Sequence, residues 1–260
     1  MIHKAKRIVF KVGTTTLTHK TGKTNIKHMG ELVRVLSDLM NAGIEVALVT
    51  SGAIGVGVGK LGLKSRPTDT AGKQAAATVG QCELMFMYDK MFSEYGHIVG
   101  QLLITKQDVE DEVRHDNLIN SFEKLFEFGA IPIINENDSV AVDEIVYGDN
   151  DSLSAIVAKL IGADALVILT DIDGLYDKNP TLPDAKLIPV VYKIDGDIIR
   201  MAGGSESEFG TGGMETKLHA AQIAVSAGID TVIINGSPIN NIYKLMEGKQ
   251  VGTLFKAEVE

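Results

Sequence analysis

Tryptophan is absent from this 260-residue chain and cysteine occurs once. No apolar run approaches the roughly 18 residues of a membrane span. Each scarcity removes a class of protein. A single cysteine, Cys82, allows no intramolecular disulfide, which points to a reducing compartment. Cys82 itself reads as a small buried hydrophobe on a helix. Cations are outnumbered, 25 Lys and Arg against 34 Asp and Glu, a formal net charge of -9. A polyanion-binding face is therefore not expected, and neither is a nucleic-acid partner. Acidic small molecules remain possible, because a few placed cations and backbone N–H groups hold a phosphate locally. The six histidines are scattered and match no zinc-protease spacing, and the Asp-rich strings lack the calcium-loop spacing. No residue is assigned to a metal. The opening MIHKAKRIVFKVG has too short an apolar run for a secretion signal. A cytoplasmic protein with no membrane partner is expected.

Apolar residues make up 45% of the chain, enough for a substantial core. They gather in runs bounded by glycine or polar turns at 7–12, 44–50, 97–104, 131–135, 165–170 and 231–235. These runs show little polar alternation, as strands of a sheet covered on both faces require. Helical periodicity lies between them, at 25–41, 71–95 with a break expected near Gly80, 117–128, 151–161 and 214–227. Alternating strands and helices predict an α/β/α sandwich with right-handed crossovers. Two stretches break the rhythm: 138–151 reads as a polar-rimmed β-hairpin, and 171–195 as a Pro-rich loop ending in a short strand at 187–191.

Five motifs carry chemistry. In KVGTTTL a strand delivers Lys11 at its carboxyl end, then Gly13 and Thr14 open a turn. Ligands of open α/β sheets bind at such ends, and lysine suits phosphate oxygens. A lysine merely reaching for water is an equal reading of that motif alone. In VTSGAIGVGVGKLG, a strand runs into Ser51, Gly52 and Ala53 and a glycine-rich turn. Gly57, Gly59 and Gly62 formally match the dinucleotide fingerprint, but the strand ends too early for it. A P-loop is excluded, since Lys60 precedes Leu61 and Ile54 stands where its first glycine belongs. Backbone N–H groups near Ser51 remain, and these suit a carboxylate. In INENDSV…YGDNDSLSA, Asn135 and Asp138 follow a strand end while Asp149, Asn150 and Asp151 open a helix. So many carboxylates and amides exceed capping needs and call for cations. LTDIDGLYDKNP places Thr170, Asp171, Gly174 and Tyr176 after a strand. GTGGMETK sets Thr211, Gly212 and Gly213 before a helix opening with Met214, Glu215, Thr216 and Lys217, a phosphate cradle by its exposed N–H groups.

Together, in order and approximate spacing, these motifs resemble the amino-acid kinase family across nearly the whole chain, and within it the members acting on free glutamate. The resemblance implies a three-layer α/β/α sandwich around a mainly parallel eight-stranded sheet, as one amino-acid kinase domain over 1–260. It implies a glutamate-binding half (1–163) and an ATP-binding half (164–260), with a soft boundary near Ala163. It further implies phosphorylation of the γ-carboxylate of L-glutamate by ATP, opening proline biosynthesis, with Mg²⁺ held mainly by phosphate oxygens. Lys11, Lys217 and Asp151 would be catalytic. Ser51, Gly52, Ala53, Asn135, Asp138, Asp149 and Asn150 would hold glutamate. Lys11, Gly13, Thr14, Thr170, Asp171, Gly174, Tyr176 and 211–217 would hold ATP. Proline is an expected feedback inhibitor, and a homo-oligomer, dimer or tetramer, is expected. Many relatives continue past a VGTLF string into a PUA domain; here only five residues follow Val251–Phe255, so a form without that domain is expected. Alternatives within the class are kinases of N-acetylglutamate, aspartate, carbamate or uridylate; outside it stands a non-catalytic nucleotide or amino-acid sensor.

Overall fold

The computed structural model describes residues 2–19, 23–140, 150–202 and 213–257. After a short 3₁₀ turn at Ile2–Lys4, the chain forms β1 (Arg7–Val12), α1 (Thr14–Leu17), α2 (Ile26–Asn41), β2 (Glu45–Val49), α3 (Ala53–Leu61) and α4 (Thr70–Ser93). Next come β3 (Ile98–Ile104), α5 (Lys106–Glu110), α6 (Glu112–Glu127), β4 (Ala130–Glu136), α7 (Asn150–Leu160) and β5 (Ala165–Thr170). The remainder is β6 (Val190–Val191), α8 (Gly196–Ala202), α9 (Met214–Ser226), β7 (Asp230–Asn235), α10 (Asn241–Met246) and β8 (Thr253–Phe255). The eight strands form a mainly parallel sheet with helices on both faces, the α/β/α architecture expected. By compactness the chain divides into two units, 12–146 and a second made of 1–11 with 147–260.

In the unit 12–146 the strand order is β3-β4-β2, with β4 parallel to both neighbours. Val46 to Val49 and Ile131, Ile133 and Ile134 are buried; each fully buried aliphatic side chain stabilises by roughly 1.5–3 kcal/mol. Helix α2 starts where Asn25 accepts a hydrogen bond from the His28 N–H. Helix α6 begins earlier than its apolar periodicity, because Asp111 caps it through the Arg114 N–H at 3.0 Å and its first turns are polar.

Two expectations fail here. The glycine-rich stretch after Ser51 is helix α3, and α4 runs unbroken through Gly80. The reason is one close crossing. A Cβ on Gly57 would lie 1.8 Å from the Ala76 carbonyl oxygen, and one on Gly80 would lie 1.7 Å from that of Ala53. The glycines permit backbone contact between α3 and α4, which outweighs their poor helix propensity. Cys82 is also exposed on α4, against the expectation of burial.

In the second unit the order is β1-β5-β7-β8-β6. Strands β5 and β7 pair in parallel from Ala165–Asp230 to Thr170–Asn235, while β8 is antiparallel to β7 and parallel to β6. Small buried residues, Ala155 and Ala158 on α7 and Ala220, Ala221 and Ala224 on α9, let these helices pack closely. The hairpin expected over 138–151 falls mostly on 141–149, outside the described residues. The strand expected at 187–191 is reduced to Val190–Val191, with Leu187 in an isolated bridge to Tyr176.

Candidate functional site

Strand β1 ends by presenting Lys11, helix α7 opens with Asp151 in its first turn, and helix α9 opens with Lys217 in its first turn. All three side chains meet. Lys11 Nζ lies 2.5 Å from Asp151 Oδ1, and Lys217 Nζ lies 3.1 Å from Asp151 Oδ2. The carboxylate is fully buried and each lysine is 6% exposed. Burial pushes the Asp151 carboxyl upward, but the two ammonium charges and their hydrogen bonds outweigh it and hold it below the usual carboxylate range. Among the described residues two ammonium groups thus share one buried carboxylate, an arrangement suited to an anionic ligand. Thr216 closes the cluster: its hydroxyl proton is shared between Asp151 Oδ2 at 3.0 Å and the Gly213 carbonyl at 2.9 Å. Gly213 and Met214 begin the 13-residue helix α9, whose N–H groups add donors. Glu215 on the same turn is exposed. Thr211, Gly212 and Asp149 lie outside the described residues.

In the same unit, β5 ends at Thr170, which is buried, and its hydroxyl reaches Asp171 Oδ1 at 3.2 Å. The turn that follows is held from several directions. Asn235, the last residue of β7, donates to Asp173 Oδ1 at 2.8 Å, and Tyr176 OH donates to Asp173 Oδ2 at 3.3 Å. Burial first and the Asp173 charge second raise the Tyr176 hydroxyl above its ordinary value, so it stays a neutral donor. Gly174 and Tyr176 line a shallow cleft with Ile172, Lys178, Met201 and Met214. Lys178 stands within the LTDIDGLYDKNP string but was not singled out there, and Met201 carried no motif.

In the unit 12–146, Ser51 and Gly52 are half-buried and Ala53 is buried, with α3 starting at Ala53. The N–H groups expected to suit a carboxylate are therefore those of a helix start, a stronger anion site than a loose turn. Thr14 packs beneath this loop, 3.6 Å from the Cβ position of Gly52, and Gly13 precedes it at the start of the short α1. Asn135, 2% exposed at the end of β4, donates from Nδ2 to Gln81 Oε1 at 2.9 Å. Gln81 Nε2 is buried with no partner among the described residues. It lines a cavity of about 360 Å³ with Met85, Leu103, Asn137 and the expected site residue Asp138. A second prop lies beside it: Thr50, at the end of β2, shares a 2.8 Å hydrogen bond with the buried Tyr88 hydroxyl of α4. Burial drives the ionisation of Tyr88 well above its usual range. Neither Gln81 nor Tyr88 was legible as a site residue, since each sits in an ordinary helical pattern. Asn150 opens α7 and is half-buried. Among the described residues no group of three or more His, Cys, Asp or Glu is arranged to hold a metal ion.

The pattern of the amino acid kinase family spans residues 6–235, and the chain belongs to that family. Within it, the chain is 54% identical over 253 residues to the glutamate 5-kinase of Clostridium tetani, covering 97% of this chain and 95% of that one. It is 50% identical over 259 residues to the glutamate 5-kinase of Clostridium perfringens, covering 98% and 96%. The glutamate 5-kinase of Moorella thermoacetica is longer: 51% identity covers 98% of this chain but 68% of that one. Among solved structures, carbamate kinase from Giardia lamblia bound to AMP-PNP has the same fold, with a TM-score of 0.68 at 15% identity over 98% of this chain and all of that one. UMP kinase from Bacillus anthracis gives 0.65 at 16% identity, covering 98% and 97%.

Proposed function

We propose that the chain is an ATP-dependent glutamate 5-kinase, transferring the γ-phosphoryl group of ATP to the γ-carboxylate of L-glutamate in the first step of proline biosynthesis. The observation that carries this reading is the Lys11–Asp151–Lys217 cluster, two buried ammonium groups set on one carboxylate. The relatives at 50–54% identity over nearly the whole chain support the choice of glutamate.

A glutamate carboxylate oxygen attacks the γ-phosphorus while the bond to the ADP oxygen breaks. The nucleophile is already ionised at neutral pH, so no general base is needed. What the protein supplies is in-line positioning and neutralisation of charge on the transferring group. Lys11 and Lys217 are assigned to that charge, and Asp151 to holding both amines in place. Ser51, Gly52, Ala53, Asn135, Asp138, Asp149 and Asn150 are assigned to glutamate, Asp138 or Asp149 to its α-ammonium. Gly13, Thr14, Thr170, Asp171, Gly174, Tyr176 and 211–217 are assigned to ATP; the cationic cluster and the start of α9 fit its phosphates. Mg²⁺ bound with the nucleotide would supply charge neutralisation at its phosphate oxygens. On this assignment 1–163 is the glutamate half and 164–260 the ATP half.

No described helix is long and apolar enough to cross a membrane, and a cytoplasmic site belongs to the reading proposed here. A homo-oligomer, dimer or tetramer, and feedback inhibition by proline belong to the same reading. A coupled ADP-release assay over glutamate, N-acetylglutamate, aspartate, carbamate and UMP tests it. Glutamate alone should support turnover, and that turnover should stop on chelation of Mg²⁺. Preference for any other acceptor would displace the assignment.

A further inference from the structure

The VGTLF string near the end of the chain has no part in the chemistry above, yet its threonine reaches the nucleotide turn. Thr253 opens β8 and is fully buried. Its Oγ1 accepts from the Leu175 N–H at 2.8 Å and donates to the Ile188 carbonyl at 2.7 Å. Both partners are backbone groups, one in the turn that leaves β5 and one in the segment that returns to β6. Leu175 and Ile188 are also joined directly, Ile188 N–H to Leu175 O at 2.8 Å. One hydroxyl thus closes a three-way junction.

Gly174 shows how tightly the turn is seated there. Its φ is 151°, and a Cβ on it would lie 2.6 Å from Thr253 Oγ1 and 2.9 Å from Thr253 N. The turn rests on the threonine without an intervening side chain, and only glycine fits. Asp173, the residue before Gly174, accepts from both the Tyr176 hydroxyl and the Asn235 amide. Gly174, Leu175 and Tyr176 all line the cleft beside Met201 and Met214.

We propose that Thr253 is a positioning residue that sets nucleotide affinity, by holding the turn Asp171–Tyr176 in one arrangement before ATP arrives. The inference rests on the assignment of that turn to ATP. A preformed turn spares the nucleotide the cost of ordering it, so the hydroxyl acts on binding and not on the phosphoryl-transfer step. Thr253→Val keeps the shape and removes the hydroxyl; Thr253→Ser keeps the hydroxyl.

The test measures MgATP affinity by calorimetry, together with steady-state kinetics, for wild type, Thr253→Val, Thr253→Ser and Asp171→Ala. Thr253→Val should raise Kd and KM for ATP about tenfold, with kcat at saturating ATP and KM for glutamate within about twofold of wild type. Thr253→Ser should restore affinity to within about twofold. Thr253→Ala, which removes the same hydroxyl without the β-branch, should give the same signature and serves if Thr253→Val does not fold. Unchanged nucleotide affinity in Thr253→Val and Thr253→Ala, with Asp171→Ala weakened, would overturn the role of Thr253 alone. Unchanged affinity in all these variants would overturn the turn assignment with it. A wild type that binds MgATP but does not phosphorylate glutamate would remove the kinase reading, and Thr253 would still be judged by the Kd ratios.

Discussion

Lys11 and Lys217 hold opposite oxygens of the single buried carboxylate of Asp151, at 2.5 and 3.1 Å. Each amine is thereby fixed by a partner that is not substrate, and on the proposed assignment both are presented to an incoming phosphoryl group. A lysine on its own would pay rotamer entropy at each turnover; the shared carboxylate settles that in the folded state.

From this follows the first prediction. Lys217→Ala should lower kcat at least ~100-fold, the scale of losing one preorganised charge donor. Asp151→Asn should lower it comparably while keeping the side-chain volume, because both lysines lose their anchor. The check is glutamate-dependent ADP release at saturating substrates. A near-normal kcat in Lys217→Ala would take that residue out of the mechanism.

The Gln81–Asn135 pair gives a second. Gln81 accepts from the Asn135 amide and itself lines the cavity. Gln81→Leu should raise KM for glutamate about tenfold, with KM for ATP unchanged, as expected for losing a buried hydrogen-bonded support. Initial-rate kinetics in both substrates separate the two; an equal rise in both KM values would point to general damage instead.

The α3–α4 crossing predicts a stability effect. Gly80→Ala places a methyl group where the Ala53 carbonyl oxygen already sits, 1.7 Å away. The helices must separate, at a cost of about 3 kcal/mol or more, at the upper end of overpacking effects. Denaturant unfolding should show it. Gly30→Ala on α2, where nothing lies within 4 Å, should instead be neutral or stabilising by less than about 1 kcal/mol.

Asp230 supplies a pH-dependent case. Burial raises its carboxyl, but hydrogen bonds from Lys256 Nζ and the Ala257 N–H, with the Lys256 charge, bring it below the ordinary value. A depressed folded-state value means the stabilisation is fully present above the unfolded value of about 3.9 and is lost as pH falls through the folded one. Asp230→Asn should therefore cost about 1 kcal/mol at pH 7, a modest figure because Lys256 is partly exposed. Its melting temperature should fall by about 2–4 °C there. The gap to wild type should close in acid below about pH 4. A constant gap across that range would show that the charge on Asp230 contributes nothing.

Sequence alone settled what depends on local pattern. The apolar runs of β1 and β5 coincide with the strands, and α7 and α9 start within a residue of their expected places, because unbroken apolar runs mark strands covered on both faces and polar or glycine residues bound the helices between them. Lys11, Asp151 and Lys217 were legible because each stands at the end of such an element. Tertiary structure decided the rest. It made a helix of the glycine-rich α3, since the contact with α4 rewards the missing side chains that propensity penalises. It turned Cys82 outward, set Gln81 and Tyr88 beneath the ends of β4 and β2, and brought Thr253 to the turn after β5. None of these has a signature in the order of residues, because each depends on which distant backbone happens to pack against it.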